Sequence, residues 1–233
     1  SIRIVGDLTV DSGVTLTILR GAEIQVAGFQ DSEAGGIDSS RAEIIVHGIL
    51  KLDDAAGERP MIQGDSSVAG SWYGIRVMPG GRFETGIGAV IENAVTGVTL
   101  DRAARPETLT DLTIRDCSSA GVVTRSDSVA LVGDTVLRVW PGRGIEIDSA
   151  SPAITGCVID SCQYGIYTRL SSSRLTGNRI DGPGVYGVYV ASGALSEVSD
   201  TLRLVHDTVS GYFSQAQMFV GTVSLCRIDS CGF

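Results

Sequence analysis

Lysine, histidine and long apolar runs are what this 233-residue sequence has least of. Its 18 basic residues include one lysine, Lys51, and stand against 27 acidic residues, for a net charge of −9. An acidic chain without a basic stripe repels phosphate backbones, so no nucleic-acid partner is expected. No apolar run approaches the roughly 18–20 residues of a membrane-spanning helix, so no membrane span is expected either.

The scarcity of histidine also argues against a metal centre. The two histidines, His47 and His206, are far apart in the sequence. Neither has a partner at the spacing of a zinc site or a catalytic triad. Both are therefore predicted to lie at the surface or in turns, and no metal is expected.

Glycine is abundant, with 30 residues against six prolines, and it recurs at regular intervals. Pairs of glycine and an apolar residue are spaced by 23, 24, 23, 21, 22 and 24 residues: Gly74-Ile75, Gly97-Val98, Gly121-Val122, Gly144-Ile145, Gly165-Ile166, Gly187-Val188 and Gly211-Tyr212. A second apolar column keeps the same phase, at Ile91, Ile114, Leu137, Ile159, Ile180, Leu204 and Ile228. Two columns in step over seven units predict a solenoid with about 23 residues per coil.

The alternation of apolar residues within each unit predicts the kind of solenoid. Gly144–Asp148 and Gly187–Val190 alternate over four or five positions, which is typical of short strands with one buried face. We therefore predict an all-β parallel β-helix of roughly 9–10 coils forming one domain over residues 1–233. Residues 1–70 form irregular first coils with a protruding loop at about 29–41, and 71–233 form regular coils.

The opening of the chain resembles a known family. Gly6–Val10, Gly13–Ile18, the Gly48-Ile49-Leu50 turn and Ser71–Ile75 are similar to bacterial right-handed β-helix-repeat proteins of the pectate-lyase-like superfamily. The resemblance implies a right-handed, single-stranded β-helix located outside the cell or on the cell surface. That superfamily contains polysaccharide lyases, glycoside hydrolases, epimerases, tailspikes and adhesins, so the resemblance implies no particular activity.

The five cysteines are predicted to be free core thiols. All five fall at positions that face the core: Cys117, Cys157, Cys162, Cys226 and Cys231. Cys117 and Cys162 share an inward column with Trp140 of the intervening coil. Two coils separate them by about 10 Å, beyond the Cα distance of about 7 Å that a disulfide tolerates. A disulfide or a metal site between other cysteines stays a less favoured alternative.

Outward positions two and four residues after each glycine, and the position before it, suggest a binding surface. Aromatic residues occupy such positions on three consecutive coils: Tyr164, Tyr167, Tyr186, Tyr189 and Phe213. A charged cluster lies beside them: Arg125, Glu146, Asp148 and Arg169. Cross-strand aromatic pairs stabilise a sheet by roughly 0.2–1 kcal/mol each, which is one interpretation. The other is a polysaccharide partner, with rings stacking on sugars and charges bonding their hydroxyls.

Catalysis by outward carboxylates is an alternative function. Glu146 and Asp148 are about 6.5–7 Å apart along one strand, a separation compatible with glycoside hydrolysis. Asp160 and Asp181 lie on successive coils, where like charges raise one pKa or bind Ca²⁺, the one cofactor considered. A lyase also needs a base, and lysine is nearly absent. The expectation is a structural or adhesive module without a cofactor.

The end of the sequence raises a third possibility. Gly232 follows Gly211 by 21 residues, so the sequence stops inside a coil, where the next strand is due. A bare solenoid end exposes apolar core and strand edges. We expect the native chain to continue, or a partner to cover this end. Coil-to-coil assembly into a filament is the minority alternative.

Overall fold

The computed structural model confirms a parallel β-helix whose chain visits three faces in every coil. It describes residues 1–53, 57–86, 88–105, 107–171 and 173–191, together with the backbone of five strands within 203–229. Within each sheet, strands from successive coils pair in parallel, so neighbouring strands are three places apart along the chain. Within the described residues, no helix has both the length and the apolar character needed to cross a membrane.

The three faces are built from four sheets. The first face is a ten-stranded sheet of β1 Ile2–Ile4, β4 Glu23–Val26, β7 Met61–Gly64, β10 Val90–Glu92, β13 Thr113–Arg115, β16 Thr135–Leu137, β19 Val158–Asp160, β22 Arg179–Asp181, β25 Thr208–Ser210 and β28 Arg227–Asp229. The second face is a nine-stranded sheet of β2 Leu8–Val10, β5 Glu43–Val46, β8 Gly74–Val77, β11 Thr96–Leu100, β14 Ala120–Thr124, β17 Arg143–Asp148, β20 Tyr164–Arg169, β23 Tyr186–Ala191 and β26 Tyr212–Ser214. The third face is split into β3 Thr15–Ile18, β6 Ile49–Leu52 and β9 Arg82–Glu84, and then β12 Glu107–Thr110, β15 Val129–Val132, β18 Ala153–Thr155, β21 Arg174–Thr176, β24 Arg203–Val205 and β27 Thr222–Ser224.

Aliphatic columns fill the interior. On the first face, in-register inward residues are at most 1% exposed: Ile91, Ile114, Val136, Ile159 and Ile180. The second face contributes a column of the same kind: Val98, Val122, Ile145, Ile166 and Val188. Each such side chain stabilises the fold by about 1.5–3 kcal/mol relative to an exposed one. No coil could bury its column without its neighbours.

A column of glycines on the second face marks where first-face side chains crowd the backbone. We use the name glycine column for Gly97, Gly121, Gly144 and Gly165. A Cβ at Gly144 would come within 2.5 Å of Ile159 Cγ2 and 2.6 Å of the Gly165 carbonyl oxygen. A Cβ at Gly165 would meet Ile180 Cγ2 at 2.3 Å. The glycine repeat therefore reflects close packing across a corner.

Two members of the predicted second apolar column were wrong. Val136, and not Leu137, pairs with Ile114, and Val139 is the buried residue where Trp140 was expected. Trp140 is 57% exposed. Adjacent apolar residues in this coil allow two registers, and the repeat interval alone favours the wrong one.

The second wrong member is Leu204. It pairs with Leu175 on the third face, while Val209 follows Ile180 on the first. This coil is longer than its neighbours, so the fixed interval pointed to the wrong strand. Gly211, His206, Cys226 and Cys231 lie outside the described residues.

Polar side chains occupy one inward corner position, directly before strands of the first face. Asn178 Oδ1 accepts the Cys157 N–H at 2.9 Å, and its amide donates to the Ile154 carbonyl at 3.0 Å. Asp134 lies two coils earlier at the equivalent position, and its Oδ1 accepts the Leu112 N–H at 2.9 Å. Its Oδ2 has no hydrogen-bond partner. Asp134 thus makes the bond to a backbone N–H that Asn178 makes, but not the second bond to a backbone carbonyl.

The third face is interrupted between β9 and β12, which belong to different sheets. A side chain bridges part of the gap, because the Thr110 N–H donates to Thr85 Oγ1 at 2.9 Å. The interruption leaves an open groove along this face of the solenoid.

Residues 27–42, between β4 and β5, contain no strand. Within this segment the guanidinium of Arg41 lies 5.4 Å from the ring centre of Phe29, which is 51% exposed. Glu43 Oε1 accepts the Ile37 N–H at 2.6 Å. Burial raises the pKa of Glu43, while the Ile37 bond and the Arg76 charge partly oppose that rise. The division of the chain into irregular and regular coils stays a prediction.

Candidate functional site

Four tyrosines lie together on the outward side of the second face. Tyr164 and Tyr167 belong to β20, and their register partners Tyr186 and Tyr189 belong to β23. Alternation along each strand places Tyr167 and Tyr189 outward, next to the buried Ile166 and Val188. Tyr164 and Tyr186, directly before the glycine of each strand, are half-buried, and their rings contact the ring of Tyr189. Phe213 follows Tyr189 in register, but its side chain lies outside the described part of the chain.

The rings form one packed cluster. Tyr167 and Tyr189 are stacked, with centroids 5.2 Å apart and an interplanar angle of 11°. Tyr164 meets both of them edge to face, at 5.9 and 5.4 Å, and Tyr186 lies 5.8 Å from Tyr189. Offset and edge-on pairs of this kind contribute about 0.5–1.5 kcal/mol each beyond their burial. Burial and the neighbouring tyrosines raise the pKa of Tyr189, so its hydroxyl stays protonated.

Arg143 covers the side of Tyr167 that faces away from Tyr189. Its guanidinium carbon lies 4.1 Å from the centre of the Tyr167 ring. Arg143 comes from the preceding coil and Tyr189 from the following one, so Tyr167 is sandwiched between them. A ligand can therefore reach the hydroxyl edge of Tyr167, but not a free ring face.

Trp140 extends the cluster, and the sequence analysis missed it by assigning it to the core. It lies in the turn before β17 and reaches across a coil, since a Cβ at Gly184 would come within 2.1 Å of its Cζ3. Gly184 is two residues before Tyr186. The Pro141-Gly142 turn that follows Trp140 was the signal that could have placed it at the surface. We use the name aromatic surface for Trp140, Arg143, Tyr164, Tyr167, Tyr186 and Tyr189.

A ladder of alternating charges runs beside the aromatic surface. Arg76 bonds Asp101 at 3.3 Å, and Asp101 in turn pairs with Arg125 at 3.4 Å. Asp148 lies 3.9 Å from Arg125 and 2.9 Å from Arg169. We call these five residues the charge ladder. Partial burial alone would raise the pKa of Asp148, but hydrogen bonds from Arg169 and Ser149 and the nearby arginine charges lower it overall.

The carboxylates proposed for catalysis fall on two different faces. Glu146 and Asp148 are on the second face, where Arg143 Nη1 lies 2.7 Å from Glu146 and Arg169 holds Asp148. Asp160 and Asp181 are register partners on the first face. Asp160 accepts a bond from Ser161 at 3.0 Å, and Asp181 pairs with Arg179. Each carboxylate is thus hydrogen-bonded or ion-paired within the protein.

No metal centre emerges from the part of the chain that the structure describes. Within those residues, no three His, Cys, Asp or Glu side chains converge closely enough to hold an ion. The Ca²⁺ considered for Asp160 and Asp181 stays a prediction. His47 is exposed at a turn.

The three described cysteines are free and buried, as predicted for core thiols. Burial raises the pKa of Cys117 and of Cys157 to about 12, and that of Cys162 to about 11. Since the thiolate is the reactive form, we expect iodoacetamide at pH 8 to leave all three unmodified in the folded protein and to alkylate them in guanidinium. Peptide mapping by mass spectrometry checks each site separately. Alkylation of Cys162 in the folded chain would contradict its placement.

Comparison with known proteins agrees with this architecture. The model of a family described as a right-handed β-helix region matches residues 64–211, which confirms the predicted right hand. Among solved structures, the chain is similar to the crystal structure of the periplasmic alginate epimerase AlgG. The identity is 12% and the TM-score 0.49, over 99% of this chain and 76% of that chain. A search of the curated proteins finds no match.

Proposed function

This chain belongs to the family of proteins with a right-handed β-helix region, and from that premise we propose that it is an extracellular or cell-surface module that binds polysaccharide. The proposed contact is the aromatic surface. The observation that carries the proposal is the exposed Trp140 beside four half-buried tyrosines on adjacent coils. Large aromatic side chains that are buried at one end and exposed to solvent at the other are typical of recognition surfaces.

The packing of the rings defines how a sugar would meet them. Both faces of Tyr167 are covered, so the interior of the cluster acts as a rigid support. A sugar ring would stack on Trp140 and hydrogen-bond the hydroxyl edges of Tyr164, Tyr167 and Tyr186. The sheet-stabilising and saccharide-binding interpretations therefore apply to different members of the same cluster. A surface held rigid by its own packing loses little entropy on binding.

The elongated shape of the site suits a polymer. Coils are stacked about 4.8 Å apart, so contacts repeat along the solenoid axis at about that interval. The charge ladder lies beside the aromatic surface and can accept or donate hydrogen bonds to hydroxyl groups. A chain laid along the axis would meet aromatic rings on one side and alternating charges on the other.

The enzymatic alternative has less support from the geometry. Glycoside hydrolysis needs one carboxyl that carries a proton near neutral pH and another that attacks or activates water. Asp148, bonded by Arg169 and with a lowered pKa, is held as a carboxylate and is unsuited to be the acid. Glu146 is ion-paired by Arg143, which is also packed on Tyr167. Adhesive use and end-to-end assembly remain predictions.

Substituting Trp140→Ala, Tyr186→Ala or both is expected to weaken polysaccharide binding. We expect about a tenfold loss of affinity for each single variant, equivalent to about 1.4 kcal/mol. A glycan array identifies the ligand, and titration calorimetry on the best oligosaccharide measures the loss. Trp140 is more than half exposed, so its removal should leave the fold intact.

The matched control is Phe29→Ala, since Phe29 is an exposed aromatic residue covered by an arginine on the segment between β4 and β5. It should leave the affinity unchanged. Equal affinities for the wild type, Trp140→Ala and Tyr186→Ala would rule out the aromatic surface as the contact. If the folded protein binds no neutral or acidic glycan on the array, saccharide binding at the aromatic surface is ruled out altogether.

A further inference from the structure

The interruption of the third face contains a groove that shares no residue with the aromatic surface or the charge ladder. A cavity of about 210 Å³ lies between β6, β9 and β12. A second of about 590 Å³ continues past β12 to the starts of β15 and β18. The two share Arg82 and Thr108, so they form one groove that crosses five coils. At about 4.8 Å per coil its length is about 19 Å, enough for several sugar units.

Cationic groups line one end of this groove. Lys51, the single lysine of the chain, points outward from β6 directly opposite Glu84 of β9. Glu84 is engaged by Arg82, whose Nη1 lies 3.2 Å from its carboxylate. Among the described residues Lys51 makes no ion pair, so its three donors remain available. Among the described residues that line the smaller cavity, Lys51 and Arg82 outnumber the one carboxylate, Glu84, on a protein whose total charge is −9.

Hydroxyl groups line the rest of the groove. Thr108 and Thr110 stand on the β12 side, and Ser128 and Ser151 on the side of β15 and β18. Asp127 is already occupied, because its Oδ1 accepts the Ser151 N–H at 2.7 Å. Neutral hydroxyls both donate and accept hydrogen bonds, which matches the hydroxyls of a sugar better than the apolar side chains of a peptide.

We propose that this groove is a second binding site, specific for an acidic saccharide. The carboxylate or sulfate of one sugar unit bonds Lys51 and Arg82, and the hydroxyls of neighbouring units bond Thr108 and Ser128. The site lies on a different face from the aromatic surface and uses none of its residues. It therefore goes beyond the proposed function and does not depend on it.

The test uses titration calorimetry with three tetrasaccharides of equal length: a uronic acid oligomer, a sulfated oligomer and a neutral one. We expect the charged oligomers to bind at least tenfold more tightly than the neutral one at low salt. Their affinity should fall at 0.3 M NaCl, because screening weakens contacts with charges near the surface. The preferred charged oligomer identifies whether carboxylate or sulfate is the recognised group.

Variants place the binding in the groove. Lys51→Gln should reduce affinity for the charged oligomer about tenfold, and Thr108→Val should reduce affinity for all oligomers that bind. The control is Arg174→Gln, which removes an exposed arginine from β21 on the same face and should change nothing. Thermal unfolding verifies that each variant is folded.

Several outcomes overturn this proposal without touching the aromatic surface. One is equal affinity of the wild type and Lys51→Gln for every charged oligomer, or no binding of these oligomers at millimolar concentration. Equal or tighter binding of a polyglutamate peptide would assign the groove to acidic protein segments instead. Binding lost in Trp140→Ala but kept in Lys51→Gln and Thr108→Val would support the aromatic surface alone.

Discussion

Replacing Asp134 by asparagine is expected to raise the free energy of unfolding at pH 8 by about 2–4 kcal/mol. Asp134 is 1% exposed, and its Oδ2 lacks a hydrogen-bond partner. The Ile154 carbonyl lies in the coil that precedes Asn178. Strand register places the Leu109 carbonyl at the equivalent position in the coil that precedes Asp134. An asparagine amide could donate to that carbonyl, as Asn178 does to Ile154 at 3.0 Å.

The increase in unfolding free energy caused by Asp134→Asn should depend on pH. Burial raises the pKa of Asp134 from 3.8 to about 7; the Leu112 N–H bond opposes this rise and the Asp111 charge adds to it. The folded chain thus keeps a proton that the unfolded chain releases near pH 4. The stabilisation supplied by this proton is complete below about pH 4 and is lost as the pH rises to about 7. Asp134→Asn should remove that loss and match the wild type at low pH.

Guanidinium unfolding at several pH values measures the effect. The reverse substitution, Asn178→Asp, is the matched control, since it creates the same buried carboxyl two coils away. It should destabilise the protein at pH 8 and introduce a pH dependence between about 4 and 7. If Asp134→Asn lowered stability at pH 8, the carboxylate would have an interaction that the geometry does not include.

Gly144→Ala should have the second large effect, a loss of about 3 kcal/mol of unfolding free energy. The added Cβ would approach the Gly165 carbonyl oxygen to 2.6 Å and Ile159 Cγ2 to 2.5 Å. Backbone of the next coil on one side and a packed core side chain on the other leave neither neighbour room to move. Relief would require the coils to separate, which breaks the ladder they share.

Gly177→Ala separates this crowding from backbone strain. Gly177 has a positive φ of +66° and nothing within 4 Å of an added Cβ, so alanine there meets only the left-handed conformation. That costs about 1–2 kcal/mol. Chemical denaturation of both variants gives the comparison. A Gly144→Ala variant no less stable than Gly177→Ala would mean that the coils can move apart at little cost.

The fold was predictable from sequence because its strongest constraint is local and repeated. A glycine is required in each coil where a strand of the second face, such as β17, packs against a first-face side chain. The length of each coil is therefore visible in the sequence as the interval between glycines. The prediction failed where that constraint is absent. Leu137 and Trp140 adjoin the apolar residues Val136 and Val139, and alternation alone cannot choose between them. Leu204 failed because its coil is longer than the interval used.

The sequence was enough to predict which residues of the candidate site are register partners, but not which side chains are in contact. Strand alternation alone places Tyr167 and Tyr189 outward on neighbouring coils, as the structure has them. The sandwiching of Tyr167 by Arg143 depends on a side-chain conformation, which spacing does not encode. The exposure of Trp140 depends on the turn around Pro141. The groove at Lys51 arises from a break between two sheets, and residues from five coils meet there without any repeating pattern.

The charge ladder has a consequence for how the coils find their partners during folding. The backbone of every coil offers nearly the same hydrogen-bonding pattern, so backbone bonds alone would allow one coil to stack on the wrong neighbour. A stack that omitted one coil would bring Asp101 against Asp148, or Arg125 against Arg169. Like charges directly opposite each other are destabilising. The alternation of sign thus penalises skipped coils and favours assembly in the order of the sequence.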